Sequence, residues 1–285
     1  MDQRNRHHQF RDFILLLILA VQLPLVGKSQ QLPTKLKTSL NAYSFNSPLM
    51  KGEMNLDDLL EYCAANQFDA VDITAYYFPG YPEVPPDEYL YHIKQKAFLL
   101  GLEISGTGVR NDFTDPDPAK RKASVELVKN WILAAEKLGA PVIRVFSGTA
   151  DVSGIPRKTV IDYMVADLKE CVEFGKAHGV VVGIQNHHDF LKTADETIEI
   201  IKRVDSDWFG LILDIGSFRT DAYKEIEKAI PYAVSWQLKE NLYVNILSLI
   251  KKSGYRGYIP IETLGEGDPK AKVSVFLKEV EEAMK

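Results

Sequence analysis

The sequence predicts a single α/β domain, a (β/α)8 or TIM barrel, on three observations. Short apolar segments alternate strictly with longer amphipathic ones, eight of each. The strand candidates are almost wholly apolar, as in Val180-Val181-Val182-Gly183-Ile184 and Gly210-Leu211-Ile212-Leu213. That suits a parallel sheet covered on both faces. Eight such units in about 250 residues is the size of this barrel. A doubly wound open sheet is the alternative, and no G-x-G-x-x-G follows the first strand to support it.

The elements follow in order. Leu36–Ala42 is the first strand, and Asn55 caps a helix whose core face carries Leu56, Leu59, Leu60 and Cys63. Ala70–Thr74 is the second strand, followed by a Pro/Tyr-rich loop from Tyr76 to Pro86 and a helix through Leu100. Leu102–Thr107, a helix from Pro118 to Leu138, Pro141–Phe146 and a helix from Ile155 to His178 make the next two units. Val180–Asn186 and helix Ala194–Arg203 form the fifth unit, and Phe209–Asp214 and helix Ala222–Ile230 the sixth. Ala233–Leu238 with helix Val244–Lys252, then Tyr258–Glu262 with a last helix from Lys270 to Met284, complete the series. Gly101, Gly139, Gly179 and Gly254 end helices, where a left-handed residue is expected and a Cβ would clash.

Composition narrows the function. The 285 residues are 46% apolar and 26% charged with a net charge of −5, a globular balance. An acidic chain argues against a nucleic-acid partner, whose phosphates call for a basic face. Residues 1–29 read as a signal peptide. Arg4, Arg6, His7, His8 and Arg11 make a cationic start, Phe13 to Val26 an apolar run, and Gly27 and Ser29 a small-residue cleavage site. The run has 14 residues with Gln22 and Pro24 inside it. Spanning a bilayer takes about 20, so no stable membrane span is expected after cleavage, an uncleaved anchor being the alternative. The expected mature domain, residues 30–285, would be secreted or periplasmic. Its two cysteines, Cys63 and Cys171, fall in amphipathic helices, where a buried free thiol is expected rather than a bridge.

A barrel of this kind works at the C-terminal ends of its strands, and polar residues collect there. The fifth strand ends in Gln185-Asn186-His187-His188-Asp189, the sixth in Asp214-Ile215-Gly216-Ser217, the seventh in Gln237-Leu238-Lys239-Glu240 and the eighth in Glu262-Thr263. Strand alternation brings Gln185, Asp214, Gln237 and Glu262 inward together.

The segments QNHHD, LDIGSF, WQLKEN and PIETLGEGDP resemble the sugar phosphate isomerase/epimerase group of xylose-isomerase-like barrels, over Lys37 to Met284. That group also holds endonuclease-IV-type DNA repair enzymes. Its members generally bind one divalent metal through Glu, Asp, His and Glu at the ends of strands five to eight. Here those positions read Gln185, Asp214, Gln237 and Glu262, so two ligands have become amides. The resemblance implies a metal site on these four residues, and its oxygen donors would suit Mn²⁺ or Mg²⁺. A polar barrel mouth held by hydrogen bonds, with no metal, is the alternative. Ser217 stands where the family's Asp-x-Gly-His has its His.

The substitutions bear on mechanism. In the family's epimerases, carboxylates on strands five and eight serve opposite faces of the substrate carbon, and Gln185 cannot take a proton. What survives is a one-base scheme. Glu262, His187 or His188 removes a proton next to a carbonyl, and a metal or Lys239 stabilises the enediolate. Such a site suits aldose–ketose isomerisation, and equally β-elimination from a keto-sugar or the reverse hydration. Arg144, Asn186, Ser217 and Tyr76 are the expected substrate contacts. Arg144 has the alternative of pairing with Asp72, Glu103 or Asp214. The expected partner is a small sugar, with a homo-oligomer possible in principle. A catalytically silent carbohydrate-binding barrel is the second reading.

Overall fold

The computed structural model describes residues 35–240 and 243–285; the expected signal peptide lies outside the described residues. Eight parallel strands are present: β1 (Leu36–Asn41), β2 (Ala70–Thr74), β3 (Glu103–Gly108), β4 (Val142–Val145), β5 (Val181–Gln185), β6 (Phe209–Asp214), β7 (Ala233–Gln237) and β8 (Gly257–Ile261). A helix follows each: α1 (Leu56–Ala65), α2 (Asp87–Leu99), α3 (Pro118–Leu138), α4 (Arg157–Ala177), α5 (Ala194–Val204), α6 (Ala222–Ala229), α7 (Tyr243–Ser253) and α8 (Pro269–Met284). The strands run in the order β7-β6-β5-β4-β3-β2-β1-β8. A parallel bridge between Leu238 and Ile261 joins the two ends. There Leu238 N donates to Pro260 O and Glu262 N to Leu238 O, both at 2.8 Å. The expected barrel is therefore a single closed ring.

Capping chemistry sets several helix starts. Asn55 with Asp58, and Thr193 with Glu196, form reciprocal capping boxes, while Asp117 and Asp268 cap α3 and α8 ahead of a proline. Gly101, Gly139, Gly179 and Gly254 have φ of 68–79°, as expected for helix ends. Strand ends differ from the sequence reading by a residue or two: the apolar pattern runs past the paired residues at β4 and β5, while Gly108 and Gly257 pair without contributing to it. The short helix Asn46–Met50 and the 3-10 turn Ala42–Phe45 go unread in the sequence, being too short to show a period. Cys63 and Cys171 are buried free thiols. Among the described residues no helix is long and apolar enough to cross a membrane.

The hydrophobic core lies between the outer face of the ring and the helices, with Trp131, Trp236 and Phe276 fully buried there. The inside of the ring is narrower, and glycine makes the room. A Cβ on Gly183 would stand 2.4 Å from Ile212 Cδ1, and one on Gly108 would stand 2.8 Å from Arg144 Nε. Gly183→Ala is expected to destabilise the fold by about 1–3 kcal/mol through overpacking, read as a lower urea midpoint with an unchanged slope.

At the N-terminal end, Glu103 Oε2 accepts from Lys37 Nζ at 2.5 Å and from Tyr258 Oη at 2.7 Å. These three side chains come from β3, β1 and β8. One layer in, Ser39 Oγ and Ser105 Oγ meet at 2.7 Å.

Candidate active site

The opposite end opens into a cavity of about 720 Å³. Gln185, Asp214, Gln237 and Glu262 all line it and all are buried, so alternation along four consecutive strands brings them together as the sequence predicts. Lys239, two residues beyond Gln237, enters the same cluster. Its Nζ lies 2.5 Å from Glu262 Oε1 and 3.4 Å from Asp214 Oδ2. One ammonium thus bridges the two carboxylates.

Gln185 joins the cluster as a donor. Gln185 Nε2 donates to Asp214 Oδ2 at 2.9 Å, which turns Gln185 Oε1 away into a buried place without a partner. The tip of Gln237 lies 2.9 Å from Gln185 Nε2, 3.2 Å from Asp214 Oδ2 and 3.3 Å from Glu262 Oε2, and its other end 3.1 Å from Asn41 Nδ2. Its Oε1 accepts from Gln185 Nε2; turned the other way the amide would donate to both carboxylates and accept from Asn41, but would set its N–H groups against those of Gln185. Asp214 Oδ1 accepts from Gly216 N at 2.9 Å.

This arrangement does not fit a resident divalent ion. A cation needs free oxygens, yet Gln185 turns its N–H group toward Asp214 and Gln237, and an ammonium already touches both carboxylates. Among the described residues no group of three or more His, Cys, Asp or Glu could hold a metal.

The electrostatics follow from burial. Desolvation pushes the Glu262 carboxyl above its ordinary range and Asp214 adds to this, while Lys239 and Arg144 pull the other way without overcoming it. Burial opposes the charge on Lys239, but Asp214 and Glu262 outweigh it and raise that pKa. Deeper in the ring, burial pushes Asp72 from 3.8 to about 6, against the pull of Arg144 and with Glu262 adding to the rise. Between those two pH values the unfolded chain has released a proton that the folded one keeps. Stability therefore falls as pH rises from about 4 to 6. Asp72→Asn is expected to remove that decline, so the variant gains urea resistance relative to wild type at pH 7 but not at pH 4.

The remaining predicted residues divide. Arg144 is buried, donates from Nη1 to Val109 O at 3.1 Å and lies over the Phe146 ring at 4.0 Å. It lines the cavity with its charge toward Asp72 and Glu262; Glu103 is committed to the barrel floor. His187 and His188 both line the cavity. Desolvation holds His187 below its ordinary pKa, and its ring sits 4.7 Å from that of Phe146. His188 adopts a left-handed φ of 60°, and its Nδ1 is buried without a partner. Ser217 and Tyr76 line the cavity too, Tyr76 beneath the Arg110 guanidinium at 4.2 Å. Elsewhere in the aromatic loop, Phe78 and Tyr81 pack on Trp131 and anchor it.

Asn186 is a correction. It is fully buried, its Nδ2 donates to Asp214 O at 2.9 Å and its Oδ1 accepts from Asp214 N at 2.8 Å. Both ends of its amide splint β5 to β6, and it does not line the cavity. Residues the sequence reading missed include Asn41, Arg110, Asp189 and Arg219, all on the cavity wall. Asp189 accepts from Ser147 Oγ at 2.5 Å and keeps a buried Oδ2 without a partner.

Comparison with known proteins agrees with this architecture. D-psicose 3-epimerase from Clostridium cellulolyticum H10, solved with D-tagatose, superposes with a TM-score of 0.74 at 18% identity, over 87% of this chain and 99% of the other. The IOLI protein, solved with a bound zinc atom, gives a TM-score of 0.71 at 15% identity over 87% and 98%. An uncharacterized protein, MJ1311 of Methanocaldococcus jannaschii, is 26% identical over 262 residues, 79% of this chain and 84% of its own. The family described as xylose isomerase-like TIM barrel matches residues 60–244. The chain belongs to the xylose isomerase-like TIM barrel family.

Proposed function

We propose that this protein is a sugar isomerase/epimerase-type enzyme that removes a proton next to the carbonyl of a ketose or keto-sugar. The observation that carries this reading is Glu262 at the cavity wall, with Oε1 held by Lys239 and its pKa raised above the ordinary carboxylate value by burial. A base whose pKa approaches the working pH transfers protons most effectively. In the proposed step a Glu262 oxygen takes the α-proton. The C–H electron pair becomes the C=C bond of an enediolate, and the carbonyl π pair moves to its oxygen. Lys239 donates a hydrogen bond to that oxygen and keeps its proton. Return of the proton to the neighbouring carbon, with the hydroxyl proton relayed between the oxygens, exchanges aldose and ketose.

Gln185 holds the place of a second base and cannot accept a proton, so a one-base isomerisation fits best. Inversion at carbon would require a donor on the other face, and His187 and His188 line the same cavity. The known epimerase that shares the barrel supports this side of the chemistry over β-elimination.

We further place the enzyme in a secreted or periplasmic setting from its cationic and apolar first 29 residues, which favours sugars without phosphate. The test is incubation with a panel of ketoses and keto-sugars in D₂O. Deuterium entering next to the carbonyl supports the reading. Sugar binding without exchange would replace it with the silent carbohydrate-binding barrel.

A further inference from the structure

We propose that Lys239 is a built-in replacement for a divalent cation: its ammonium fills the cation position between Asp214 and Glu262, and the enzyme works without a metal. The catalytic half of this proposal rests on the proton-abstraction reading above; the exclusion of metal stands by itself.

Three features of the cluster agree. The ammonium contacts Glu262 Oε1 at 2.5 Å and Asp214 Oδ2 at 3.4 Å, the two carboxylates on which a metal would depend. Lys239 is only 12% exposed in its side chain, so it is packed into the cluster and not swung into solvent. Gln185 faces Asp214 and Gln237 with its N–H group, leaving its Oε1 turned away and unpartnered. Binding an ion there would require the ammonium to leave, the Gln185 amide to rotate and charge-assisted hydrogen bonds to both carboxylates to break. With Glu or His at the two amide positions the charge and donor count would favour a metal. With Gln185 and Gln237 the carboxylates supply −2, and one Lys leaves the cluster at −1. The lysine stands where the family's His-x-Lys-Asp pattern also has one, so what differs here is the two amides, which leave Lys239 as the cation of the cluster. The ammonium then supplies what an ion would, a fixed positive charge beside the developing oxyanion.

The experiment uses the full chain freed of metal with a chelator and titrated with Mn²⁺, following the signal of free Mn²⁺ by electron paramagnetic resonance. Wild type is expected to leave Mn²⁺ free, with its thermal midpoint the same in Mn²⁺ and in chelator. Lys239→Met is expected to bind Mn²⁺ and to be stabilised by it, because two carboxylates then face each other without a cation. One Mn²⁺ bound per wild-type chain with a raised midpoint would overturn the proposal. So would a folded Lys239→Met protein that still binds none, since the lysine would then not be what keeps the ion out. Lys239→Gln gives the same comparison should the Met variant fail to fold, and if neither folds the wild-type titration decides alone. Deuterium exchange in chelator tests the other half. Exchange that requires Mn²⁺ overturns metal-free catalysis, whereas no exchange with any sugar under either condition counts against the proton-abstraction reading and leaves the titration result standing.

Discussion

Glu262→Gln is expected to lower the rate of α-proton exchange by about a hundredfold to ten-thousandfold, the range that a positioned general base contributes. The amide is nearly isosteric and keeps an oxygen for Lys239 Nζ, so the barrel should fold and still bind sugar. The loss should therefore fall on kcat and leave KM close to wild type, the mark of an interaction that matters chiefly in the transition state. The wild-type pH profile carries a second signature. Burial holds the Glu262 carboxyl above its ordinary value of 4.5, so activity should rise with pH along a limb displaced upward from that value. The residual activity of the variant should lack that limb. Turnover equal to wild type would remove Glu262 from the chemistry.

Lys239→Met is expected to have the largest effect on stability. It removes the cation from a buried cluster and leaves Asp214 and Glu262 as neighbouring unneutralised charges. Breaking a buried pair in this way costs about 3–5 kcal/mol. The sign with pH follows from the direction of the Glu262 shift. Without Lys239 that carboxyl is pushed higher still, so the penalty is full at alkaline pH and shrinks as acid protonates the cluster. Urea midpoints at pH 5 and pH 8 should thus separate from wild type by more at pH 8. A penalty that stays constant across that range would mean the lysine acts through packing alone.

The ring and its helices were legible because burial on two faces writes itself into sequence as apolar runs, and helix ends write themselves as caps and glycines. The convergence of Gln185, Asp214, Gln237 and Glu262 was equally legible, since alternation fixes which strand residues face inward. The same rule explains the error at Asn186. Its neighbour Gln185 faces in, so Asn186 faces out, and its amide is spent on the backbone of Asp214. Asn41 could have been found on β1 by that argument. Arg110 and Arg219 could not, because they stand on loops where no period constrains direction. What one residue list could not convey was mutual orientation. Four acceptor-looking residues suggest a metal, and only the N–H group of Gln185 with the reach of Lys239 shows both carboxylates already engaged.

The knot of Lys37, Glu103 and Tyr258 at the floor of the barrel has a consequence for traffic. With those charged groups paired at that end and the cavity at the other, the substrate of the proposed reaction would enter and leave beside the two histidines. Product still in that passage would block the next substrate, so product inhibition should be competitive.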